Sequence, residues 1–353
     1  MRTVTFLSVL HGAARLCGIS DPANELNSAR AADLTEYLNE RFREAWEFQW
    51  WSEWTILEQR RYAQKYDASI TYPVQSWVWY EPTQKYYYAV VTHTGGSGTA
   101  PATLSGTTYT ANEDAWVEAA TAWPGSSDWY TSTAYVVGDV VRRPSDNSYY
   151  HCHTAHTSAG SDLNTFNFTK LTPFVRLVPW SQTEDNGSTS LTEIGRVQYV
   201  AENNPEVATA NLATFDHKPT ADGTLVAKDA PDEPWVSFQK PAPQFTFTSY
   251  AAATAYVVGD TVYYSTTGEC YECIQAGTGN LPTDTAYWTK IDFPRVISGF
   301  VKRAVKADVQ NDQGQTRAAR NTLGLAYDEL NEAAERDQAF QSQYDSVDYG
   351  GFN

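Results

Sequence analysis

Apolar and polar positions in the first part of the chain follow the period of an α-helix. Within the stretch from Asn27 to Tyr66, apolar residues recur every three or four positions between Ala31 and Trp46, and Arg and Glu fill many of the positions between them. This pattern predicts a helix with one buried and one solvated face, for which Ser28 is a suitable N-cap. The apolar positions between Thr3 and Cys17 recur at the same spacing and predict a shorter helix before it.

Tryptophans crowd the end of the longer helix and require a packing partner. Each buries a large area only if something packs on it, and the neighbouring segment is too short to do so. The helical period returns after Pro294, with apolar residues in a stripe from Ala319 to Ala334. Packing is favoured over ligand binding, because aromatic residues at helical spacing usually belong to a core. We therefore predict that both ends of the chain form one helical body, with these residues at its centre: Trp46, Trp50, Trp54, Leu323 and Leu330.

The middle of the chain contains a repeat. From about residue 67 to 292, Thr, Tyr, Val, Gly and Ser dominate and turn-forming clusters recur, which is typical of β-structure. The sequence AYVVGD at 134–139 returns at 255–260. The same offset also aligns two further pairs, Tyr150 with Tyr271 and Cys152 with Cys273. Repeated six-residue identity followed by matched residues indicates two copies of one small β module.

A third and more divergent copy precedes these two. Tyr72 aligns with Tyr135, but Gln75 and Ser76 stand where the other copies have Gly and Asp. Trp116 is then expected to match Trp288. The sequence thus predicts an α+β protein in which small all-β modules are inserted into a helical body. The expected segments are 1–67 (helical), 68–122, 129–173 and 249–293 (the three modules), 174–247 (a small β region) and 294–353 (C-terminal helices and tail).

The pattern of the two ends resembles a known family. A short helix, a second charged helix and EAWEFQWWSEWTILEQRRY, together with a C-terminal helix, DQGQT and another helix, are similar to the adaptor (head–tail connector) proteins below the portal of tailed bacteriophages. The stretch from Trp235 to Phe238, followed by PAPQFT, is similar to the same neck proteins.

That resemblance implies a structural virion protein, made in the host cytoplasm and located at the head–tail junction. It implies a homo-oligomeric ring of about twelve copies, with the portal protein on one side and a tail or further neck protein on the other. DNA would pass through the lumen without specific binding, and the modules would project outward. The net charge of −17 is consistent with this last point, because an acidic surface argues against tight phosphate binding.

The modules themselves resemble small chitin-binding-type carbohydrate-binding modules. Tyr256, Gly259 and Asp260 match that pattern, and Gly259 suits a tight turn whose amides Asp260 can cap. The aromatic pair that holds sugar in that family is missing after Tyr271. Two aromatic residues remain as possible glycan contacts, Tyr264 and Trp288. The alternative function is therefore a carbohydrate-binding virion decoration or secreted adhesin, although modules inserted between helices favour the connector.

The last dozen residues predict an extended tail. From Ser342 to Asn353 the chain is mostly Ser, Asp, Gln and Gly, with three aromatic residues, Tyr344, Tyr349 and Phe352. Such a segment buries too little to fold alone. We expect its aromatic residues to anchor it on the portal or on a neighbouring subunit.

Candidate chemistry is sparse, and the chain is predicted not to be an enzyme. None of the common nucleophile, phosphate-loop, zinc-protease or dinucleotide motifs occurs, and no cofactor or metal is expected. Cys270 and Cys273 form a CxxC pair, but residues three apart on a strand face opposite sides of a sheet. Whether the cluster His151, His153 and His156 binds metal stays open. No apolar run is long enough to span a membrane.

Overall fold

The computed structural model describes residues 2–96, 99–105, 108–120, 122–123, 126–160, 162–182, 191–205, 207 and 213–345. The fold is α+β, with helices near both ends and many small β-sheets. Two compact units are present. The helical unit contains Met1–Thr55 and Ala242–Asn353, and the β unit contains Ile56–Pro241.

The four longer helices that the structure describes lie where the apolar periodicity predicts them. They are α1 (Phe6–Leu16), α2 (Pro22–Glu25), α3 (Ser28–Glu47), α4 (Arg295–Asp312) and α5 (Thr316–Asp345), with a 3₁₀ turn at Ser52–Trp54. The N-cap of α3 is Asn27 and not Ser28, because the side-chain oxygen of Asn27 accepts a hydrogen bond from the amide of Arg30 at 2.9 Å. Ser28 is instead the first residue of the helix.

The connection between α4 and α5 is a glycine turn. Gly314 has a φ of 76°, which suits a residue without a side chain. Helix α5 then continues to Asp345, so the predicted extended tail is wrong for residues 342–345. No Gly or Pro interrupts the chain between Leu325 and Asp345, so nothing in the sequence ends the helix before residue 342. Residues 346–353 lie outside the described part of the chain.

The strands are short and fall into five groups along the chain. The first two are β1 (Thr3–Val4) and β2 (Thr55–Gln59). The first module has β3 (Thr71–Tyr72), β4 (Trp77–Tyr80), β5 (Lys85–Ala89), β6 (His93–Thr94), β7 (Ala102–Ser105), β8 (Thr108–Ala111) and β9 (Trp116–Glu118). The second has β10 (Ser127–Asp128), β11 (Ala134–Tyr135), β12 (Val140–Arg143), β13 (Ser148–Cys152), β14 (His156–Thr157) and β15 (Phe168–Lys170). Between modules lie β16 (Leu177–Pro179), β17 (Arg196–Ala201), β18 (Thr214–Phe215), β19 (His217–Pro219), β20 (Gly223–Val226) and β21 (Trp235–Gln239). The third module has β22 (Ala255–Tyr256), β23 (Thr261–Tyr264), β24 (Glu269–Cys273), β25 (Gly277–Thr278) and β26 (Trp288–Ile291), and β27 (Phe293–Pro294) follows it.

The three modules share one architecture, as the sequence repeat implies. Each has three antiparallel strands beside a two-stranded ribbon: β4-β5-β9 with β3-β6, β12-β13-β15 with β11-β14, and β23-β24-β26 with β22-β25. In the second module β10 adds a fourth strand, parallel to β12. Trp116 and Trp288 begin the third strand of their sheets, at the equivalent position. A parallel bridge precedes each sheet at the same spacing: Lys65 with Trp79, Asp128 with Arg142, and Ser249 with Tyr263.

A left-handed residue forms the turn before the sheet in every module. Gly138 and Gly259 have φ values of 97° and 93°, and Gln75 has 73° at the corresponding position of the first module. The side chain of Asp260 accepts the amide of Val257 at 2.8 Å, as expected. The first module therefore keeps the turn without the glycine, at a cost in backbone strain.

The third module is built into the core of the helical unit. One face of its sheet carries Tyr271 and Cys273 into the core of the module. The other face carries Tyr263 and Cys270 into the same buried cluster as Phe6 of α1. The expectation that residues 249–293 form a separate, outward-projecting module is therefore wrong. The sequence repeat identifies the module core but contains no information on what covers the outer face.

An extended segment before the third module completes this core. The ring centroids of Phe42, Phe245 and Phe293 lie 5.0–5.1 Å from one another, in tilted or edge-to-face contacts. The Asn39 side chain holds the backbone of Phe245 through two hydrogen bonds of 2.8 Å. Residues 242–247 thus belong to the helical unit, although the sequence analysis assigned them to the preceding β region.

The β unit contains the first two modules and two further sheets. Tyr88 and Val90 of the first module pack on Leu171 of the second. The sheets between the modules have strand orders β16-β20-β19 and β18-β17-β21-β2. Strand β2 comes from the segment predicted to be helical, residues 1–67. Region 174–247 is therefore not a complete small domain, because one of its sheets needs an edge strand from residues 55–59.

Candidate functional site

Most of the predicted packing residues lie in one buried cluster. Trp46, Trp54 and Leu330 are buried together in the core of the helical unit, and Leu323 packs against it. Trp50 is only half-buried, and its neighbour Trp51 is the fully buried residue at this point. The difference arises because α3 ends at Glu47, so the helical spacing used for the prediction stops before Trp50.

The tryptophans form a rigid stack at the end of α3. The rings of Trp46 and Trp54 lie parallel, with centroids 4.4 Å apart and an interplanar angle of 4°. Trp51 contacts Trp54 at 5.1 Å and donates its indole N–H to the carbonyl of Ala45 at 2.9 Å. The stack is thereby fixed to the last turn of the helix.

A cleft of about 480 Å³ opens beside this stack, between the tryptophans and helices α4 and α5. Trp51 and Trp54 form part of its lining, and Gly299 lies on the α4 side. A Cβ added at Gly299 would overlap the carboxylate of Glu329. The glycine therefore leaves room for this carboxylate beside α4. Its charged lining residues are Glu53, Arg295, Lys302, Glu329, Arg336 and Asp337.

Some of the charged side chains in the cleft have hydrogen-bond or ion-pair partners and others have no ion pair within the described residues. Asp337 accepts a hydrogen bond from the amide of Ser52 at 3.1 Å, and Glu329 pairs with Arg303 at 3.3 Å. The remaining lining cations are Arg295, Lys302 and Arg336, and none of them forms an ion pair within the described residues. The lining as a whole carries three acidic and three basic side chains, so its formal charge is zero, whereas the net charge of the protein is −17. The site was not predictable from the sequence, since its residues are far apart in the chain.

The residues predicted to contact a portal or neighbour are only partly described. Tyr344 lies in the last turn of α5, and not in an extended tail. Tyr349 and Phe352 fall outside the described residues. Their proposed role as anchors stays a prediction.

The two aromatic residues considered as glycan contacts serve the module core. Trp288 is 3% exposed, its indole N–H donates to the carbonyl of Asn280, and Tyr250 and Tyr256 contact its ring edge-on. It offers no open face for sugar stacking, which corrects that assignment. Tyr264 is half-buried and packs edge-on against Tyr250 and Tyr271.

Exposed aromatic residues occur instead on the second module. Phe166 is 80% exposed and Tyr130 is 62% exposed, although neighbouring aromatic residues of the same module are buried. The sequence analysis missed both. An alignment of the copies could have identified them. Ala286 and Ala251 stand at the corresponding positions of the third module, so these positions are not aromatic core positions shared by both copies.

The histidine cluster of the second module does not converge on one point. His151 is 1% exposed with its Nδ1 atom unpartnered, and burial lowers its pKa to about 4. His156 directs its Nδ1 at the carbonyl of Thr154 at 2.9 Å, and His153 directs its own at the Thr154 hydroxyl. No group of three or more potential ligands is placed to hold a metal ion within the described ranges.

The CxxC cysteines lie on opposite faces of β24. Cys270 lies in the core of the helical unit and Cys273 in the core of the module. Both are free thiols, and burial raises the pKa of Cys270 to about 12. A thiol that is buried and protonated at neutral pH is unreactive.

The comparisons with other proteins give no further guidance. Among the helices that the structure describes, none is sufficiently long and apolar to cross a membrane. Protein-family models, curated proteins and solved structures were compared with the chain, and none of the three comparisons found a match.

Proposed function

We propose that this chain is a structural virion protein, a head–tail connector that forms a ring between the portal and the tail of a bacteriophage. The observation that carries the proposal is the helical unit. Helices from both ends of the chain share one core, and a contiguous β unit, Ile56–Pro241, is inserted between them. This organisation agrees with the resemblance to adaptor proteins, in which N-terminal and C-terminal helices make up the body.

The charge on α3 supports a role beside a DNA channel. Its exposed charged residues are four acids and two bases: Arg30, Asp33, Glu36, Glu40, Arg43 and Glu47. The net negative charge of this face repels the phosphate backbone. In the proposed ring of about twelve copies, this face would line the lumen, and DNA would pass without binding.

The third module has a structural role in this proposal. Its outer sheet face is buried against α1, and the carboxylate of Glu269 accepts the amide of Phe6, at the start of α1, at 3.1 Å. The module therefore stiffens the helical unit.

The proposal is tested by assembly with the portal of the phage that encodes this protein. We expect the purified protein to bind portal rings and to form a closed ring in electron micrographs, with a mass that is an integral multiple of the protomer mass. In the virion, we expect to find the protein at the head–tail junction. The charge-reversal variant Glu36→Lys with Glu40→Lys should still assemble but should retain DNA on a filter at low salt. A protein that stays monomeric with portal present, and is found elsewhere in the virion, contradicts the proposal.

The second candidate function is glycan binding by the second module, either as a virion decoration or as a secreted adhesin. Phe166 and Tyr130 favour it, because exposed aromatic faces are the usual platforms for sugar rings. Calorimetry with chitin and peptidoglycan fragments tests it. Binding that is abolished by Phe166→Ala, but is unchanged by Leu281→Ala, an exposed apolar residue of the third module, would favour this function over the connector.

A further inference from the structure

The first and second modules contact each other through the outer faces of their sheets. Tyr88, Val90 and Leu171 form a buried apolar cluster at this contact, and partly buried residues of both modules pack around it. The hydroxyl of Thr169 donates to the carbonyl of Val90, and the hydroxyl of Tyr88 donates to the carbonyl of Lys170 at 3.4 Å. The contact therefore joins the end of β5 in the first module to β15 in the second.

A histidine lies inside this contact. His151, on strand β13 of the second module, pairs with Val140 on β12 and with Thr169 on β15. Residues directly opposite each other on neighbouring strands share one face of a sheet. The core of the module lies on the other face, with Tyr150 and Cys152. Because Val140 and Thr169 both pack at the contact and His151 is 1% exposed, the contact between the modules is what buries the imidazole.

The buried imidazole has no group to receive a second proton's hydrogen bond. Its Nδ1 atom is buried and has no hydrogen-bond partner within the described residues. A neutral imidazole donates from one nitrogen, whereas the charged form donates from both. The charged form therefore places an unpaired N–H group in an apolar contact, which costs free energy. Burial accordingly lowers the pKa of His151 to about 4.

Neighbouring charges do not offset this burial. Burial has the largest influence on the pKa of the imidazole, His153 lowers it further, and Asp139 raises it by less. On the same face of β12, Arg142 is paired with Asp128 at 2.7 Å. From the first module, Tyr88 faces the contact, and burial raises its pKa, so it stays neutral in acid. The titratable and charged groups around the contact are thus His153, Asp139, Arg142 with Asp128, Tyr149 and Tyr88.

The third module shows that the module fold itself accepts a charge at this position. Its equivalent residue is Glu272, which pairs with Thr261 on β23 and Thr289 on β26. Glu272 is only half-buried, although the same face of that sheet packs on α1. Exclusion of charge at His151 is therefore a property of the contact between the first two modules, and not of the module.

We propose that protonation of His151 separates the second module from the first, so that the contact between them opens in acid. The cluster at the contact has three buried apolar residues among those described, whereas the core of each of these modules has seven. Because the free energy of apolar burial scales with area, parting the modules costs less than unfolding either one. Acid then exposes Tyr88, Val90 and Leu171 while both modules stay folded.

The size of the effect follows from proton linkage. Separation exposes His151 and restores its ordinary pKa of 6.5, whereas the closed contact holds the pKa at about 4. The separated form therefore binds more protons below pH 6.5, so the contact is fully stable above that pH and weakens as the pH falls to 4. Relative to pH 7, separation becomes more favourable by about twentyfold at pH 5 and about a hundredfold at pH 4.

Thiol protection in the full-length protein tests the separation. Val90→Cys places a thiol in the contact, and Val78→Cys places one in the core of the first module, where the valine is equally buried. Val305→Cys, in the core of the helical unit, is a second control. The reagent is a pyridyl disulfide, which reacts with thiols in acid, and wild type corrects for the native cysteines. Each rate is divided by the rate of the same variant in denaturant at the same pH. Between pH 7 and pH 5 only Val90→Cys should lose protection, by about twentyfold.

Substitution of the histidine tests the cause. In the Val90→Cys background, His151→Gln cannot titrate in this range, so the protection of the thiol should no longer depend on pH. His217→Gln, on β19 outside the contact, is the matched control and should keep the pH dependence. If His151→Gln does not fold, the comparison of Val90→Cys with Val78→Cys still decides whether acid opens the contact.

Three outcomes would overturn the proposal. The first is equal protection of Val90→Cys at pH 7 and pH 4. The second is parallel loss of protection in Val78→Cys, which would mean that acid unfolds the first module. The third is an unchanged pH dependence in His151→Gln. None of these measurements involves a portal or a glycan, so this proposal and the connector proposal can fail separately.

Discussion

Excision of the β unit should leave a folded protein only if the cut follows the contacts and not the sequence repeat. Strand β2 neighbours β21, and the amide of Arg60, just after β2, donates to the carbonyl of Pro234, just before β21, at 2.9 Å. The start of β2 therefore lies beside the end of β21, about 5 Å away as for neighbouring strands. A linker of about six Gly and Ser residues can join Thr55 to Ala242.

The alternative cut, 68–293, follows the sequence-based boundaries of the modules. It removes Phe245, Tyr263 and Phe293, which are all buried in the core of the helical unit. Loss of one buried aromatic side chain costs about 3–5 kcal/mol. The three together cost about 10 kcal/mol, against a typical total stability of 5–15 kcal/mol. We therefore expect the first deletion to fold and the second to fail.

Circular dichroism, thermal melting and size-exclusion chromatography distinguish the two deletions. The protein lacking 56–241 should be soluble and helical and should melt cooperatively. The protein lacking 68–293 should aggregate or show no cooperative transition. If the second deletion melted as cooperatively as the first, the third module would not be part of the helical core, and this account of the unit would be refuted.

Three further predictions concern single residues. Gly259→Ala should destabilise the protein by about 1–2 kcal/mol in thermal melts, because no atom lies within 4 Å of the added Cβ and only the left-handed backbone is strained. Gln75→Gly should instead stabilise it by up to about 1 kcal/mol. If both variants changed the stability in the same direction, the shared turn would be contradicted. Burial lowers the pKa of His151 from 6.5 to about 4, so the unfolded chain binds more protons between these two pH values. The contribution of His151 to the free energy of unfolding should be fully present above pH 6.5 and should fall by about 3 kcal/mol as the pH drops to 4. His151→Leu should remove this pH dependence in denaturant titrations. Glu269→Ala should lower the free energy of unfolding by about 1–3 kcal/mol in the same titrations, because it leaves the Phe6 amide unpaired. Glu269→Gln should lower it less, because the glutamine side chain keeps an acceptor. Equal losses of stability in the two variants would show that the hydrogen bond is unimportant.

The sequence by itself determined the local elements and the repeat. Helical periodicity located α3, α4 and most of α5, because a buried face requires apolar residues at that spacing whatever the partner is. The repeat identified three copies of one module and the turn of two of them, since Gly259 and Asp260 are set by backbone conformation within a few residues. That Gln75 keeps the same turn in the first module became visible only in the structure. These features depend on contacts that are short in sequence.

Only the tertiary structure decided which surfaces cover one another. Tyr263 and Cys270 occupy the outer face of the third module, and nothing in the repeat distinguishes a face that packs on helices from one that packs on another module. Strand β2 likewise joins a sheet whose other members begin more than a hundred residues later. The charged cleft depends on Trp51, Lys302 and Arg336, which lie around one space only because three segments distant in sequence meet there. Long-range packing depends on the complementarity of whole surfaces. The pattern of apolar residues in one sequence shows that a surface is buried, but not which other surface covers it.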